Sequence, residues 1–340
     1  MNNKQRLALH HTAPYEVKVV EEPTPHPGEG QVLVRTLLSG ISPGTERLLY
    51  RGEFPVDQPV DQNITALSNQ FSYPLKYGYS AVGEVIETGS GVDTGWLGRI
   101  VFAFNPHESC FCVGIDQVLP LPEHIPPENG IFLPNMETAV NLVMDGSPIV
   151  AERVIVLGQG ILGLLTAGIL SQFPLGSLVT VDRYQIRRAA SLELGASQSL
   201  DPSSKTTRQK IGDLLPNGAD LTYELSGSPD TLDDAIEYTG FDGRIVIGSW
   251  YGRKRSPIDL GGAYHRSRIR LISSQVSTIA PRFTGRWTKE RRFQAAWEMI
   301  RQVNPSRFIT HRFNINEATA AFQLLEGQPQ NSIQIVLEYD

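Results

Sequence analysis

The sequence contains very little cysteine. Only Cys110 and Cys112 occur in 340 residues, and two residues at such close strand positions rarely pair with each other, so no disulfide framework is expected. The chain also lacks an apolar run long enough to cross a membrane. Its first residues, Met-Asn-Asn-Lys-Gln-Arg, lead into Leu-Ala-Leu and two histidines instead of a signal-peptide core. These absences predict a cytoplasmic protein without membrane contacts.

Long runs of one charge sign are absent as well, and the formal net charge is -6. This balance gives no general attraction to nucleic acid or to an anionic membrane surface. Internal repeats and low-complexity segments are missing, and the apolar fraction of 40% with a charged fraction of 19% is typical of a globular protein. The length exceeds what one core usually supports and predicts two domains. Neither nucleic acid nor a membrane is therefore an expected partner, and the partner considered below is a small-molecule substrate.

The most informative stretch present is a buried strand that runs into a glycine turn, Val-Ile-Val-Leu-Gly-Gln-Gly-Ile-Leu-Gly at residues 154–163. The three glycines have the G-x-G-x-x-G spacing: the first permits a tight turn, the second lets a pyrophosphate approach the backbone, and the third lets helix pack on strand. The helix predicted over 161–172 would hold the phosphates with its N-terminal N–H groups. The predicted cofactor contacts of this turn are Gly158, Gly160, Ile161, Leu162 and Gly163.

An acid follows the next apolar strand, as dinucleotide binding requires. Asp182 ends Leu-Val-Thr-Val-Asp at residues 178–182, where a carboxylate can accept hydrogen bonds from an adenosine ribose diol. The same carboxylate would repel a 2′-phosphate, which predicts NAD(H) in preference to NADP(H). Arg183, Arg187 and Arg188 lie close in sequence and favour the phosphate, so the preference rests on Asp182 outweighing them.

The N-terminal region reads as short strands broken by turns, which suggests a β-barrel or sandwich. The predicted strands are 15–20, 31–38, 81–88, 99–104 and 111–118. Residues 52–76 read as a long polar loop with an uncertain helical piece. Residues 119–129 carry four prolines and read as the connection between domains. A helix is predicted at 135–144.

From residue 154 onward strands alternate with helices, and this alternation implies a parallel sheet covered on both faces. The predicted strands are 154–157, 178–182, 221–225, 244–247 and 270–274, and the helices are 161–172, 186–194 and 231–238. The tail departs from the pattern, with helices at 288–302 and 316–325 and strands at 308–313 and 332–337. The final strand needs a sheet to join, and the N-terminal barrel is the one available.

This order resembles the medium-chain dehydrogenase/reductase superfamily over nearly the whole chain. The resemblance is carried by Gly40-Ile-Ser-Pro-Gly-Thr-Glu46, Tyr77-Gly-Tyr-Ser-Ala-Val-Gly-Glu-Val85, the glycine turn with Asp182, Leu194-Gly-Ala196, Tyr223-Glu-Leu-Ser-Gly227, Gly243-Arg-Ile-Val-Ile-Gly248 and Ile309-Thr-His-Arg-Phe313. Within the superfamily, residues 39–52, 105–107 and 273–276 are most similar to the branch containing bacteriochlorophyllide hydroxyethyl dehydrogenase.

The resemblance implies an α/β architecture. A GroES-like β-barrel catalytic domain would span residues 1–125 and be completed by 280–340, and a Rossmann doubly wound parallel-sheet domain would span 126–279. It also implies a homo-oligomer, either a dimer or a tetramer.

The chain departs from the zinc-dependent members at their metal ligands. Where they have Gly-Ile-Cys-Gly-Thr-Asp, this chain has Ser42 or Pro43 in place of the cysteine, and where they have Gly-His-Glu it has Tyr79 in place of the histidine. Neither a serine nor a tyrosine is a good zinc ligand. The four-cysteine lobe that holds a structural zinc is absent too. These departures predict an enzyme without zinc.

Without a metal, the charge that develops on a carbonyl oxygen needs hydrogen-bond donors or a general acid. By resemblance the candidates are Ser42, Thr45, Tyr79 and His107. Thr45 matches a proton-relay residue of the superfamily or is an ordinary turn hydroxyl. Tyr79 could donate a hydrogen bond to the substrate or pack against the cofactor ring. His107 could be an acid or base near neutral pH or a core histidine. Further candidate cofactor contacts are Thr138, Arg183, Gly227, Gly248 and Ser274.

Three functions remain open from the sequence. The leading one is a zinc-independent oxidoreductase that moves a hydride between a nicotinamide cofactor and a secondary alcohol or ketone. The second is a metal-free reductase of activated carbon–carbon double bonds, like the quinone and enoyl reductases of the superfamily. The third is a catalytically inactive cofactor-binding protein.

Overall fold

The computed structural model describes residues 5–55, 67 and 71–339. The chain forms two compact units, Met1–Pro134 with Asn304–Asp340 and Asn135–Val303. The boundaries differ from the predicted ones at two segments. Residues 126–134 lie in the first unit, although the sequence predicts them in the Rossmann domain, and residues 280–303 lie in the second unit, although the sequence predicts them in the catalytic domain. Two contacts explain the place of the latter segment. Arg292 forms an ion pair with Glu137 of the second unit, and Val303 packs against Gly168 there.

The second unit contains a six-stranded sheet in the order β11-β10-β9-β12-β13-β14, with every pair parallel. Its strands are β9 Arg153–Leu157, β10 Ser177–Val181, β11 Gln198–Leu200, β12 Ala219–Glu224, β13 Thr239–Ile247 and β14 Arg270–Ser273. Its helices are α3 Leu133–Gly146, α4 Ile161–Leu170, α5 Gln185–Glu193, α6 Thr207–Leu214, α7 Thr231–Tyr238, α8 Ala263–Arg266 and α9 Lys289–Val303, with α3 beginning in the last residues of the first unit. The α/β fold with a parallel sheet is thus confirmed.

The apolar run of β9 forms because it is buried on both sides. Val154, Ile155 and Val156 have no exposed surface, as expected for the central strand of a covered parallel sheet. The chain leaves β9 for β10 on one side and later returns to β12 on the other, so the strand order reverses beside β9. The carboxyl end of β9 is therefore the edge where open α/β sheets bind ligands.

The first unit is built on a mixed seven-stranded sheet in the order β15-β16-β3-β5-β6-β8, with β7 paired to β3. A separate three-stranded sheet has the order β2-β1-β4. The strands are β1 Gln5–Ala13, β2 Glu16–Pro23, β3 Gln31–Ile41, β4 Leu75–Lys76, β5 Ala81–Thr88, β6 Ile100–Ala103, β7 Cys110–Gly114, β8 Val118–Pro120, β15 Ile309–Asn314 and β16 Gln334–Glu338. The helices are α1 Thr45–Tyr50, α2 Pro127–Gly130 and α10 Ala318–Gly327.

The last strand does join the N-terminal sheet, as the sequence predicts. β16 pairs antiparallel with β3, placing Val336 opposite Gly40 and Leu337 opposite Ser39. Ile335 and Leu337 pack into one core with Leu9, Ile41 and Phe322. Burial of these side chains gives the returning strand its place, since a lone terminal strand could not bury its apolar face.

Several elements have no clear signal in the sequence. β1 contains a His-His pair, β11 has three residues, and α6 buries only Thr207 and Ile211; none of them offers a long periodic apolar pattern. The predicted loop over residues 52–76 lies partly outside the described residues, which show β4 at its end. Within the described part of the chain, no helix is long and apolar enough to cross a membrane.

Candidate active site

The glycine turn of the second unit has the geometry that its spacing predicts. Gly158 has φ +92°, a conformation that favours glycine, and a Cβ there would lie 2.6 Å from the Leu225 carbonyl. A Cβ on Gly163 would collide with the carbonyl oxygen of Gly158. At Gly160 a Cβ would meet nothing nearer than Arg187 Nη1 at 3.9 Å. The protein itself thus requires two of the glycines, while the third leaves an open approach to the start of α4.

Asp182 lies directly beside this turn. Its Oδ2 accepts a hydrogen bond from the backbone N–H of Gln159 at 2.7 Å, and its Oδ1 accepts one from the N–H of Tyr184 at 2.7 Å. Carboxylate oxygens have further lone pairs, so both can also accept from a ribose hydroxyl. The donor set and the open glycine fit the ribose and pyrophosphate of a dinucleotide.

Basic side chains flank the same site. Arg183 and Arg187 place their guanidinium carbons 4.9 and 4.8 Å from the centre of the Tyr184 ring. Arg188 donates to the Asp182 carbonyl at 2.9 Å and forms an ion pair with Asp201 at 3.1 Å. Arg183 is exposed. These positive charges favour a 2′-phosphate and therefore NADP(H), whereas the charge of Asp182 opposes it.

The remaining candidates of the second unit lie on α3 or at strand ends. Thr138 is half-buried on α3. Gly227 donates its N–H to Ser249 Oγ at 2.9 Å. A Cβ on Gly248 would lie 2.5 Å from Leu142 Cδ2, so close packing of α3 already accounts for that glycine. Ser274 donates to Asp145 Oδ2 at 2.7 Å and accepts from Asn141 at 3.0 Å.

In the first unit the structure brings two predicted residues into direct contact. The Tyr79 hydroxyl donates a hydrogen bond to Ser42 Oγ at 2.5 Å. Ser42 follows β3, and Tyr79 precedes β5. Gly78, with φ +128°, holds the turn before Tyr79, and a Cβ there would lie 2.9 Å from the His107 ring. Thr45 is the first residue of α1 and is half-buried.

His107 has no exposed surface, and both of its ring nitrogens are hydrogen-bonded. Nδ1 lies 2.6 Å from Ser39 Oγ, and Nε2 lies 3.0 Å from Glu46 Oε2. Glu46 is also fully buried, and its Oε1 accepts from the backbone N–H of Ser42 at 2.7 Å. Ser39 Oγ in turn lies 2.7 Å from the Tyr339 hydroxyl. His107 thus lies behind the Ser42–Tyr79 contact, with its ring in the core.

Ser39, Glu46 and Tyr339 are not among the residues that the sequence predicts for the site. Glu46 closes the Gly40–Glu46 motif and is the acidic residue in the first turn of α1, a position that could have suggested it. Tyr339 lies 300 residues from Ser39 in sequence, so only the return of β16 to β3 reveals their contact. Over the part of the chain that is described, no three His, Cys, Asp or Glu side chains form a group able to hold a metal ion.

The chain is similar in sequence to known dehydrogenases. Residues 162–300 match the family model described as zinc-binding dehydrogenase. The chain is 25% identical to the L-threonine 3-dehydrogenase of Pyrococcus abyssi over 376 aligned positions, covering 99% of this chain and 100% of that protein.

Two solved structures show the same fold. An Escherichia coli oxidoreductase/dehydrogenase of unknown specificity involved in membrane biogenesis has a TM-score of 0.82 at 18% identity, over 99% of this chain and 100% of that one. A putative zinc-binding dehydrogenase of Sinorhizobium meliloti, bound to NADP, has a TM-score of 0.80 at 19% identity, over 98% of this chain and 99% of that one.

Residues 162–300 are thus similar to the zinc-binding dehydrogenase family. The two solved structures show that the chain shares the fold of such dehydrogenases.

Proposed function

We propose that this protein is a zinc-independent oxidoreductase that interconverts a secondary alcohol and a ketone with a nicotinamide cofactor, NAD(H) in preference to NADP(H). The observation that carries the proposal is the hydrogen bond from Tyr79 to Ser42 Oγ, 2.5 Å long. By resemblance Tyr79 stands where zinc-dependent members have a histidine, and Ser42 or Pro43 stands where they have a cysteine. In this proposal two hydroxyl groups bonded to each other take the place of two metal ligands.

The donor set does not fit a zinc ion. Zinc in proteins is held by thiolate, imidazole or carboxylate groups, and Ser42 and Tyr79 supply only hydroxyls. The imidazole of His107 uses both nitrogens in bonds to Ser39 and Glu46. Cys110 and Cys112 lie on β7 with thiol pKa values raised by burial, that of Cys112 to about 11, which disfavours the thiolate that zinc needs. We therefore derive no step through a metal.

The second unit fits a dinucleotide. Gly160 leaves room for the pyrophosphate, the start of α4 presents N–H groups, and Asp182 can accept from a ribose diol. A bound nicotinamide supplies or accepts the hydride. The preference for NAD(H) follows from the negative charge of Asp182, which opposes a 2′-phosphate.

The hydroxyl pair of the first unit can supply the proton. Because Tyr79 donates to Ser42 Oγ, the Ser42 hydroxyl hydrogen is directed away from Tyr79 and can bind a substrate oxygen. In ketone reduction the new alkoxide would take the Ser42 proton while Ser42 takes the Tyr79 proton, and alcohol oxidation would reverse both transfers. Hydrogen-bond donors that point at the developing charge lower the free energy of the alkoxide in a site without water.

The comparisons support an alcohol as the substrate class. The similar Pyrococcus abyssi protein is named L-threonine 3-dehydrogenase, and carbon 3 of threonine bears a secondary hydroxyl. Thr45, at the start of α1, stays a predicted proton-relay residue. A dimer or tetramer is a further proposal carried by the resemblance, and a cytoplasmic location is one carried by the sequence pattern.

The test is product analysis with purified protein, NADH and an α,β-unsaturated ketone, together with a panel of secondary alcohols and NAD⁺. The expected products are the allylic alcohol from the enone and ketones from the alcohols. Tyr79→Phe and Ser42→Ala should each lower turnover by about 10²-fold or more with the cofactor dissociation constant nearly unchanged. Tyr73→Phe is the matched control, because Tyr73 also loses a hydrogen bond, to the Leu49 carbonyl, outside the proposed site.

A saturated ketone as product would replace the proposal with double-bond reduction. Tight cofactor binding without turnover over the whole panel would replace it with an inactive cofactor-binding protein. Normal turnover in both Tyr79→Phe and Ser42→Ala would show that the proton comes from elsewhere.

A further inference from the structure

A buried chain of hydrogen bonds runs behind the Ser42–Tyr79 contact. It passes from the Tyr339 hydroxyl to Ser39 Oγ at 2.7 Å, from Ser39 to His107 Nδ1 at 2.6 Å, and from His107 Nε2 to Glu46 Oε2 at 3.0 Å. Ser39, Glu46 and His107 are each 0% exposed. Burying a carboxylate costs free energy unless hydrogen bonds or a positive charge compensate it, so the burial of the Glu46 carboxylate needs an explanation.

The chain can be polarised in one direction. Burial raises the pKa of Tyr339 far above its usual value, which keeps its hydroxyl protonated and able to donate. If Tyr339 donates to Ser39, then Ser39 donates to Nδ1 of His107, and the remaining ring proton on Nε2 points at Glu46. Every member then has a partner, and the carboxylate at the end accepts two N–H donors, those of His107 and Ser42.

Glu46 holds Ser42 at two points. Its carboxylate accepts the Ser42 N–H at 2.7 Å, and its own backbone N–H donates to the Ser42 carbonyl at 3.1 Å. Both bonds resemble a helix-start cap at the entry to α1. A glutamine could make them equally well, so capping alone does not account for a charge at this position.

We propose that Glu46 is a positioning residue whose buried negative charge, held in place by His107, fixes Ser42 and raises the proton affinity of the Ser42–Tyr79 pair. This inference rests on the proposed function for its catalytic meaning. A negative charge behind two hydroxyls disfavours their deprotonation. The pair therefore stays protonated for ketone reduction and becomes a base only at higher pH.

Other titratable groups surround the pair. His11 of β1 interacts with His107, and Tyr339, the residue after β16, interacts with Glu46 and with Glu108. Burial lowers the pKa of His11 to about 3, so His11 carries no charge near neutral pH. Glu46 is thus the charged group that contacts Ser42 directly.

The test is Glu46→Gln, which keeps the shape and removes the charge. The glutamine carbonyl can still accept the Ser42 N–H, and its amide can donate to His107 Nε2 if the chain reverses, with His107 donating from Nδ1 to Ser39. Folding should therefore survive, as thermal unfolding would check. Tyr339→Phe is the control, since it removes the far end of the chain and leaves the Glu46 charge.

The first readout is the ionisation of Tyr79, followed by tyrosinate absorbance as the difference between each protein and its Tyr79→Phe counterpart. We expect Glu46→Gln to lower that midpoint by about one pH unit or more, a tenfold change in proton affinity, and Tyr339→Phe to leave it within a few tenths of a unit. The pH at which alcohol oxidation reaches half its maximum should move in the same direction. An unshifted Tyr79 midpoint in Glu46→Gln overturns the inference.

The second readout is the His107 ring tautomer, observed by nitrogen NMR and assigned with a His107→Gln variant. The wild type should carry the proton on Nε2, and Glu46→Gln should carry it on Nδ1. A wild-type Nδ1–H tautomer overturns the inference. Neither readout needs turnover, so a failure of the proposed function is separable from a failure of this inference.

Discussion

The Asp182 carboxylate accepts the backbone N–H of Gln159 at 2.7 Å, so one side chain joins the end of β10 to the middle of the glycine turn. The residue that would bind the ribose also fixes the loop that would bind the pyrophosphate. Binding and local structure are therefore coupled at this position.

Cofactor choice tests the role of Asp182. We expect the wild type to bind NADH more tightly than NADPH, and Asp182→Asn to weaken NADH binding by about tenfold while improving NADPH binding, because the charge that repels a 2′-phosphate is gone. Fluorescence titration gives both dissociation constants. Arg268→Ala is the control, since the Arg268 side chain is 74% exposed and pairs with Asp242 instead of lying at the turn, and NADH affinity should change by less than about twofold. Tighter NADPH binding by the wild type would contradict the assignment.

The glycines of the turn should separate stability from binding. Gly160 has φ of -63° and open space for a Cβ, so Gly160→Ala without cofactor should unfold within a few degrees of the wild type. Cofactor affinity should fall, because the added methyl group obstructs the pyrophosphate. Gly163→Ala should instead cost about 1–3 kcal/mol of stability through its clash with Gly158. Calorimetry with and without NADH measures both, and equal effects of the two changes would refute the distinction.

Metal content tests the reading of Ser42 and Tyr79. We expect dialysed protein to hold far less than one zinc per chain and chelators to leave turnover intact, because hydroxyls are poor zinc ligands. Elemental analysis and assays with a chelator give the answer. Zinc at about one per chain, lost together with activity on chelation, would restore a metal mechanism.

His11 should make folding stability depend on pH. Its ring is 0% exposed, and burial, His107 and His10 lower its pKa from 6.5 to about 3. The unfolded chain binds a proton at this site below about pH 6.5 while the folded chain does not, so stability is full above that pH and falls as pH drops towards about 3. The loss at pH 5 should be roughly 2 kcal/mol.

His11→Leu should remove this part of the pH dependence between about pH 7 and pH 5, because leucine of similar volume takes no proton. Urea unfolding at each pH measures it. His26→Leu is the control, since the His26 side chain is 85% exposed and should leave the dependence unchanged. An identical pH dependence in wild type and His11→Leu would rule out the assignment.

Sequence alone determined the parts whose signals are local. The apolar run before Gly158, the glycine spacing and the acid at Asp182 predict a strand, a turn and a dinucleotide site, because each constraint acts within about thirty residues. The same holds for the alternation that predicts the parallel sheet, whereas the expected absence of zinc ligands, at Ser42 or Pro43 and at Tyr79, comes from the family resemblance.

Only the tertiary structure decided how the polar residues of the first unit are arranged. The sequence left His107 open as an acid or base or as a core histidine, and the fold buries its ring between Ser39 and Glu46. β16 carries Tyr339 beside Ser39 from 300 residues away. Hydrogen-bond partners in a core are set by which strands pair, and that pairing follows from burial of apolar faces across the whole unit. Local sequence patterns contain no record of it.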